Sequence, residues 1–544
     1  MDVAALVGRS DNLFGKRQSL VSLWQDIADQ TYPERADFTA KRSLGSDFAD
    51  NLTTSYPIIL RRDLGNSFSA MLRSTAVPWF SMAVKYEDDT PHDAREWMEW
   101  ATVRQRKLMY DRKSQFTRAT KEGDHDFAAF GQAVISVQMN RDLTGLLYRC
   151  WHLRDCAWCE NENGTVDTLY RKWKPTAREL VSTFRNIHPK IREKLSGTKA
   201  DPYCEINCLH IVIPGADYKP EFARFPYVSI FLDVENKHIM EEVGQKYFMY
   251  VVPRWQTVSG SQYSYSPATV AAMPDARLLQ AISLTLLEAG EKASNPPMIA
   301  TQDAIRSDIS LFAGGITTVD KEYDERLGEA LRPITQNYGG MGVGLDLRRD
   351  IMAMMRDAYF LNALSLPQTG PEMTAYEVGQ RVQEYIRQAA PIFEPLEAEY
   401  NGALCETTFD VLMLNGAFGR MSDIPESLHG ADVGFRFTSP LHDVIERQKL
   451  ERFTEVKAVL ADTMALDQSV VADINIREAF RDVIRSSGAP SKWMNSEDDA
   501  EAILDQQRAK QEATELLQTM GAGAEVAEQI GKAGQAMQGQ ELAA

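Results

Sequence analysis

The chain has 544 residues, 44% hydrophobic and 25% charged, with a net charge of −18 and a pI near 5.1. That is ordinary globular composition, enough for several core-bearing regions, and it excludes DNA contact that relies on a wholly basic surface; no Lys/Arg cluster of the kind that tight duplex binders use is expected. Residues 1–11 lack a signal-peptide pattern and no uninterrupted apolar run approaches the ~18–20 residues of a membrane span, so the expectation is a soluble intracellular protein.

The first predicted element is an amphipathic helix over 13–30, with Leu13, Leu20, Leu23, Trp24, Ile27 and Ala28 on one face and Tyr32-Pro33 as its stop. Helices are expected over about 57–73, 92–110 and 114–130, with a short strand over 80–84 after Val77-Pro78-Trp79. Alternation then predicts strands at 131–139, 146–150, 165–173, 205–213, 227–234 and 248–252, interrupted by one helix over 176–195. The first half therefore reads as α+β. An apolar helix follows to about residue 293, with Pro274 at its first position, and Asn295-Pro296-Pro297 stops it. Short strands are expected at 298–301, 316–319 and 331–334, closed by the glycines 339, 340, 342 and 344, and a second apolar helix covers 345–361. These two helices should run antiparallel, with the insertion capping their shared end.

Next come a Pro/Gly-rich loop, Leu364 to Glu372, and a sharp helix start. Thr374 and Glu377 form a capping box, flanked by Met373 and Val378 at hydrophobic-staple positions. Pro391 and Pro395 make the following tract a bent element rather than a rod. Gly416 and Gly419 end it, and further helices are expected from Ser439 to about 464, from Asn475 to Arg485 and from Ser496 to about 520. From Glu497 onward there are ten acidic and three basic residues, so the C-terminal tail is acidic.

Two readings are open for Cys150, Cys156, Cys159, Cys204 and Cys208 with His152 and His210. Thiolates at such spacing could share one zinc ion, or they are buried free thiols of a sheet core. His125, between Asp124 and Asp126, is the best isolated acid–base candidate, against a role on a helix surface. No phosphate-binding Gly-x4-Gly-Lys loop, His-Glu-x-x-His or Gly-x-Ser-x-Gly motif occurs. The expectation is a protein without its own catalysis and without a cofactor.

The order of these pieces is similar to that of the portal, or head-to-tail connecting, proteins of short-tailed bacteriophages. The resemblance rests on Lys16-Arg17, Trp24 and Tyr32-Pro33; Pro78-Trp79-Phe80; Ser266-Pro267 with Asn295-Pro296-Pro297; Met373-Thr374 with Glu377-Val378, Arg381-Val382 and Pro391; and Ser439-Pro440-Leu441 with Gly488-Ala489-Pro490. It implies an α+β portal-type subunit: an α/β wing (1–260), stem helices (261–293 and 344–362), a small β-containing clip (294–343), a tunnel loop (363–373), a wing segment with a long bent helix (374–495), and a helical crown with a mobile acidic tail (496–544). It implies a homododecameric ring at one capsid vertex of the virion, assembled in the host cytoplasm. Its partners would be the terminase large subunit, tail adaptor and tail tube proteins, scaffolding and major capsid protein, internal core or ejection proteins, and double-stranded DNA in the channel, with no membrane anchor. Other head–tail adaptors and, more remotely, a zinc enzyme are the alternatives. The residues assigned by analogy are Leu366, Pro367, Gln368, Thr369 and Gly370 facing DNA; Thr374 and Glu377 holding that loop; Arg348, Arg349 and Arg356 on the stem, touching DNA or pairing with Asp346, Asp350 or Asp357 between subunits; and Met298, Ile316, Thr318 and Tyr338 at the clip.

Overall fold

The computed structural model describes residues 2–40, 45, 49–75, 77–85, 90–196, 200–300, 305, 318, 320, 326, 331–334, 340–362, 394–437, 453–461, 475–486, 491–495 and 499–511. The chain divides into two units. Met1–Ser81, Thr102–Arg420 and Phe435–Val444 form the first; Met82–Ala101, Met421–Gly434 and Ile445–Ala544 form the second.

The chain opens with two helices, α1 (Val3–Lys16) and α2 (Gln18–Thr31), not one. The break at Arg17 has a physical cause. Leu13 packs on the core around Ile211 and Ile230, whereas Leu20, Leu23 and Trp24 pack on a separate core around Phe130 and Trp158. One straight helix cannot serve both. Arg17 is buried at the kink, between the Phe14 and Trp24 rings, and donates to the carbonyls of Leu153 (2.7 Å) and Arg154. α3 (Tyr56–Leu72), β1 (Phe80–Val84), α4 (His92–Met109) and α5 (Phe116–Phe130) lie within two residues of their expected bounds.

The strands β2 (Ile135–Met139), β3 (Leu146–Cys150), β4 (Cys156–Glu160), β5 (Val166–Trp173), β6 (Cys208–Pro214), β7 (Tyr227–Asp233), β8 (His238–Gln245) and β9 (Tyr250–Val251) make two antiparallel sheets. One has the order β3-β2-β9; the other is a meander, β4-β5-β6-β7-β8. β6 is central and covered on both faces. Leu209, Ile211 and Ile213 meet Leu6 of α1 on one side, while Val212 and Cys208 join other cores on the opposite side. β4 and β8 have no counterpart in the sequence reading. The Cys156-Ala157-Trp158-Cys159 run presents itself as a metal-ligand pair, and β8 is an edge strand whose exposed Glu241 and Val243 blur the alternation.

The helix expected over 176–195 is two short ones, α6 (Ala177–Thr183) and α7 (Pro189–Glu193). Pro189 holds His188 in an extended conformation, which a continuous helix forbids. All five periodic apolar residues, Ala177, Leu180, Phe184, Ile187 and Ile191, are nevertheless buried together. Their spacing foretold burial but not continuity.

After the small ladder of β10 (Gln256–Thr257) and β11 (Ser264–Tyr265), the chain enters α8 (Pro267–Ser294). Ser266 caps α8 and Pro267 occupies its first turn, so Pro274 is interior, not initial. Gly131 fixes this entry. Its φ is +73°, and a Cβ there would lie 2.1 Å from the Tyr265 carbonyl carbon. Beyond α8 lie β12 (Met298–Ala300) and β13 (Leu331–Pro333), paired antiparallel, and then α9 (Gly340–Ala358). Of the glycines expected to close the insertion, Gly340, Gly342 and Gly344 therefore form the first turns of α9, and Gly339 lies outside the described residues. The first unit also holds a π-helical segment, Leu396–Gly402, that continues into α10 (Ala403–Leu414), with Gly416 and Gly419 both at positive φ after it.

In the second unit the Lys85 amide donates to the Asp432 carbonyl (2.8 Å), and Ser427 donates to Asp93 (2.9 Å). Its described helices include the first part of α4, 453–461, α11 (Ile476–Ser486) and 499–511. The mixed helix-and-sheet class agrees with the α+β reading.

Candidate functional site

The site starts from an antiparallel helical pair. α8 is 28 residues long, about 42 Å at 1.5 Å per residue, and α9 has 19. The β12–β13 ladder, Met298 opposite Pro333, ties their far ends. Gly344 of α9 lets the helices approach closely, since a Cβ there would sit 3.0 Å from Leu286 Cδ2. The near half of α8 buries Ala268, Thr269, Ala272, Met273, Ala276 and Leu279, and the near half of α9 buries Ile351 and Met355. The far half is different. Leu284, Leu287, Val343, Leu345 and Leu347 stand between 45% and 71% exposed in the single chain, with Ile299 and Ile334 near them in sequence also exposed. Length and apolar content alone would let α8 cross a bilayer, although its sequence has no uninterrupted apolar run of that length.

The pair is braced to the rest of its unit. Thr269 Oγ1 and Ser266 Oγ donate to the Ala129 and Ala128 carbonyls at the end of α5, each at 2.8 Å. Gln280 takes both sides of the loop before α3. Its Oε1 accepts from the amides of Thr53 (2.8 Å) and Thr54 (3.0 Å), and its Nε2 donates to the Thr54 carbonyl (3.0 Å). Tyr56 OH donates to the Met352 carbonyl of α9 at 3.0 Å. The loop before α3 thus holds α8, and the first residue of α3 holds α9.

The π-helical segment is anchored by charge. Arg73, at the end of α3, is buried and donates to Asp124 of α5 and to Asn401 (2.5 Å), with its guanidinium over the Tyr400 ring. Burial lowers the Arg73 pKa, but the facing Asp124 carboxylate outweighs it and the net direction is up. Arg254 links Glu160 to Glu399, and Tyr148 OH meets Thr408 Oγ1 at 2.6 Å.

Asp124-His125-Asp126 is accordingly a structural hub, and this corrects both roles considered for His125. Three consecutive residues of α5 point in three directions, each toward an arginine from another part of the chain: Arg73 for Asp124, Arg61 for His125 (3.0 Å), Arg35 for Asp126 (2.6 Å). Burial first, then the Arg61 charge, push the His125 pKa down to about 4. His210, enclosed between Tyr250 and Ser229, is pushed well down by burial and Arg171. Both are neutral in the fold and protonate in the unfolded chain near pH 6.5. The unfolded state then binds more protons, so their contribution falls as pH drops from about 6.5 toward 4. Asp37, held near 2 against burial by His152 and Arg154, loses its own contribution only below about 3.8. We expect thermal stability to decline between pH 6.5 and 4.5, and His125→Gln to remove roughly 1–2 kcal/mol of that decline, discounted for the ring's partial exposure. Parallel melting-temperature profiles for the two proteins would show the His125 assignment wrong.

The cysteines are separated. Cys156 belongs to the core around Trp158, Cys208 to the core around Phe184 with Cys204 against it, and Cys150 lies 3.8 Å from Asp126. Among the described residues no three His, Cys, Asp or Glu side chains converge on a metal position. Burial raises the Cys156 and Cys208 thiols to about 12.

Of the residues assigned by analogy, Leu366, Pro367, Gln368, Thr369, Gly370, Thr374, Glu377, Ile316 and Tyr338 lie outside the described residues. Met298 is half-buried at the start of β12, and Thr318 is exposed. Arg349 sits 3.7 Å from Asp346 on its own helix, Arg356 donates to Asn362 (2.8 Å), and Arg348 is half-buried with Nε shielded from solvent. Sequence reasoning missed Gln280, Tyr56, Arg73 and Asn401. The available signal was Asp124, a carboxylate in an apolar helix face that demands a cation.

With this geometry in hand, the comparisons are specific. The sequence model of the bacteriophage head to tail connecting protein family matches residues 4–494. A probable portal protein of Bordetella phage BPP-1 is 26% identical over 457 residues, covering 80% of this chain and 78% of that one. The portal protein of Salmonella phage epsilon15 is 20% identical over 524 residues, covering 94% and 92%. Among solved structures, a chain of the virion of a native gene transfer agent particle aligns over 80% of this chain and 95% of its own, at 7% identity and a TM-score of 0.36, a likeness too low to decide anything about the fold.

Proposed function

The chain belongs to the bacteriophage head to tail connecting proteins, and on that premise we propose that it is a portal subunit of a phage virion, closing into a dodecameric ring at one capsid vertex through which the genome is packaged and ejected. The observation that carries the ring is the far half of the α8–α9 pair. Its large apolar side chains are uncovered in a single chain, and apolar surface of that extent marks a face that another protein covers. A head-to-tail contact repeated by rotation closes into a ring.

In this reading α8 and α9 are the stem lining the channel, and residues 294–343 are the clip that meets the terminase large subunit during packaging and the tail adaptor afterwards. Residues 363–373 face the DNA, held by the Thr374–Glu377 box. Residues 1–260 with 374–495 form the wing, and 496–544 the crown inside the head. Scaffolding, major capsid and internal core or ejection proteins are the further partners. A ring of subunits each carrying −18 repels phosphates and lets duplex slide. Arg349 faces Asp346 along its own helix in an exposed pair that solvent screens, so it stays available to a phosphate or to a carboxylate of a neighbouring subunit.

Electron microscopy of the purified protein tests the ring: a particle with a central hole wide enough for B-form DNA is expected, and monomers or solid particles under all conditions would contradict it. Deleting 298–340 should leave rings that no longer bind the terminase large subunit; retained binding would reject the clip assignment.

A further inference from the structure

The acidic chain does carry one basic stretch, contrary to the expectation that no Lys/Arg cluster is present. Residues 104–121 hold Arg104, Arg106, Lys107, Arg112, Lys113, Arg118 and Lys121 against Asp111 alone: seven minus one gives +6 in a chain of net −18. The fold adds a further cation. Tyr148 of β3 points inward to Thr408, so alternation turns Leu147 and Arg149 outward. Arg149 and Arg118 of α5 then line one open groove of about 360 Å³, with Gln115 and Glu122.

The edge of this groove is rigid. Asp111 accepts from the Lys113 amide (2.8 Å), buried Ser114 donates to the Met109 carbonyl, and Gln115 donates to the Arg112 carbonyl (3.2 Å). That turn presents Arg112 and Lys113 to solvent. Arg112, Lys113 and Arg149 are exposed and, among the described residues, have no carboxylate partner. Arg118 is the contrast, paired with Glu122 at 3.0 Å. Arg149 lines the groove with Glu122 and the paired Arg118, and Arg112 and Lys113 stand on the adjoining turn, so the cations are spread along the surface beside an acidic side chain, which disfavours a single small anion inside and suits successive phosphates laid across them. From this we infer that the face formed by Arg112, Lys113 and Arg149 binds the phosphate backbone of duplex DNA on the outside of the assembly, apart from any channel contact. The choice of DNA over another polyanion rests on the portal reading, in which duplex is the polymer packed beside the subunit.

A relaxed, closed circular duplex cannot thread a closed ring, so its binding reports the outer surface. The assembled protein is titrated with such circles, alongside the triple variant Arg112→Ala, Lys113→Ala, Arg149→Ala. We expect the wild type to bind at low salt, and the variant to bind at least tenfold more weakly with a shallower dependence of log K on log salt. Equal binding by the two proteins, or no binding by the wild type at 50 mM salt, overturns the inference. So does polyglutamate displacing the circle at lower charge concentration than linear duplex does, which would identify an acidic protein segment as the occupant. Ring formation is read by microscopy on the same samples. A failure to form rings counts against the portal reading, whereas the circle still binds, or fails to bind, through these three side chains.

Discussion

Asp124→Ala is expected to destabilise the first unit by about 3–5 kcal/mol, the loss typical of a buried ion pair stripped of one partner. The Arg73 guanidinium, 2% exposed, would keep only Asn401 and the Tyr400 ring face. Its charge cannot be relieved by deprotonation. The pair joins α3 and α5 to the π-helical segment, so the damage should spread to that segment, whose Asn401 shares the same guanidinium. The paired replacement Arg73→Met with Asp124→Leu should cost far less, because apolar side chains of similar volume avoid the desolvation penalty. Thermal unfolding of the three proteins is the measurement. A melting temperature for Asp124→Ala within a degree of wild type would show that the pair does not hold the segment.

Leu284→Asp combined with Leu287→Asp is expected to abolish assembly while leaving the subunit folded. Both side chains are about half exposed in one chain, at 45% and 57%, so the monomer should change little. Each is about half exposed, so between copies it would gain roughly 0.7–1.5 kcal/mol from burial, and a buried unpaired carboxylate would oppose contact further. Lost burial at the two positions weakens each interface by about one to two orders of magnitude, at 1.4 kcal/mol per tenfold, and the carboxylates add to that. Sedimentation velocity should show folded monomers. Val258→Asp, at a residue 53% exposed in the loop before β11, serves as the control and should assemble normally. Rings from the double variant would mean that some other surface closes the assembly.

Much of the fold was legible because its signals are local. The Tyr32-Pro33 stop, the glycines after α10 and most strands of the first unit follow from neighbours within a few residues, whereas the start of α8 lies at Ser266-Pro267 and not at Pro274. The misread helices have two causes. A helix period continued through Arg17, where the break depended on separate cores and on partners over a hundred residues away, and through His188-Pro189, where the proline broke the helix although both pieces joined one core. β4 and β8 were missed because a buried strand beside cysteines and a polar edge strand both lack clean alternation.

The site divides in the same way. The sequence by itself determined that two apolar helices flank a small β-containing insertion, and that their order with the surrounding turns is that of a connector. This was possible because periodicity, caps and breakers act through adjacent residues. Only the tertiary structure decided that Asp124 and Asp126 neutralise Arg73 and Arg35 while the neutral His125 ring meets Arg61, that Gln280 and Tyr56 brace both helices, and that Arg149 and Arg118 line one groove. Those are pairings between residues far apart in sequence, and a charge or amide shows its role only when folding sets its partner beside it.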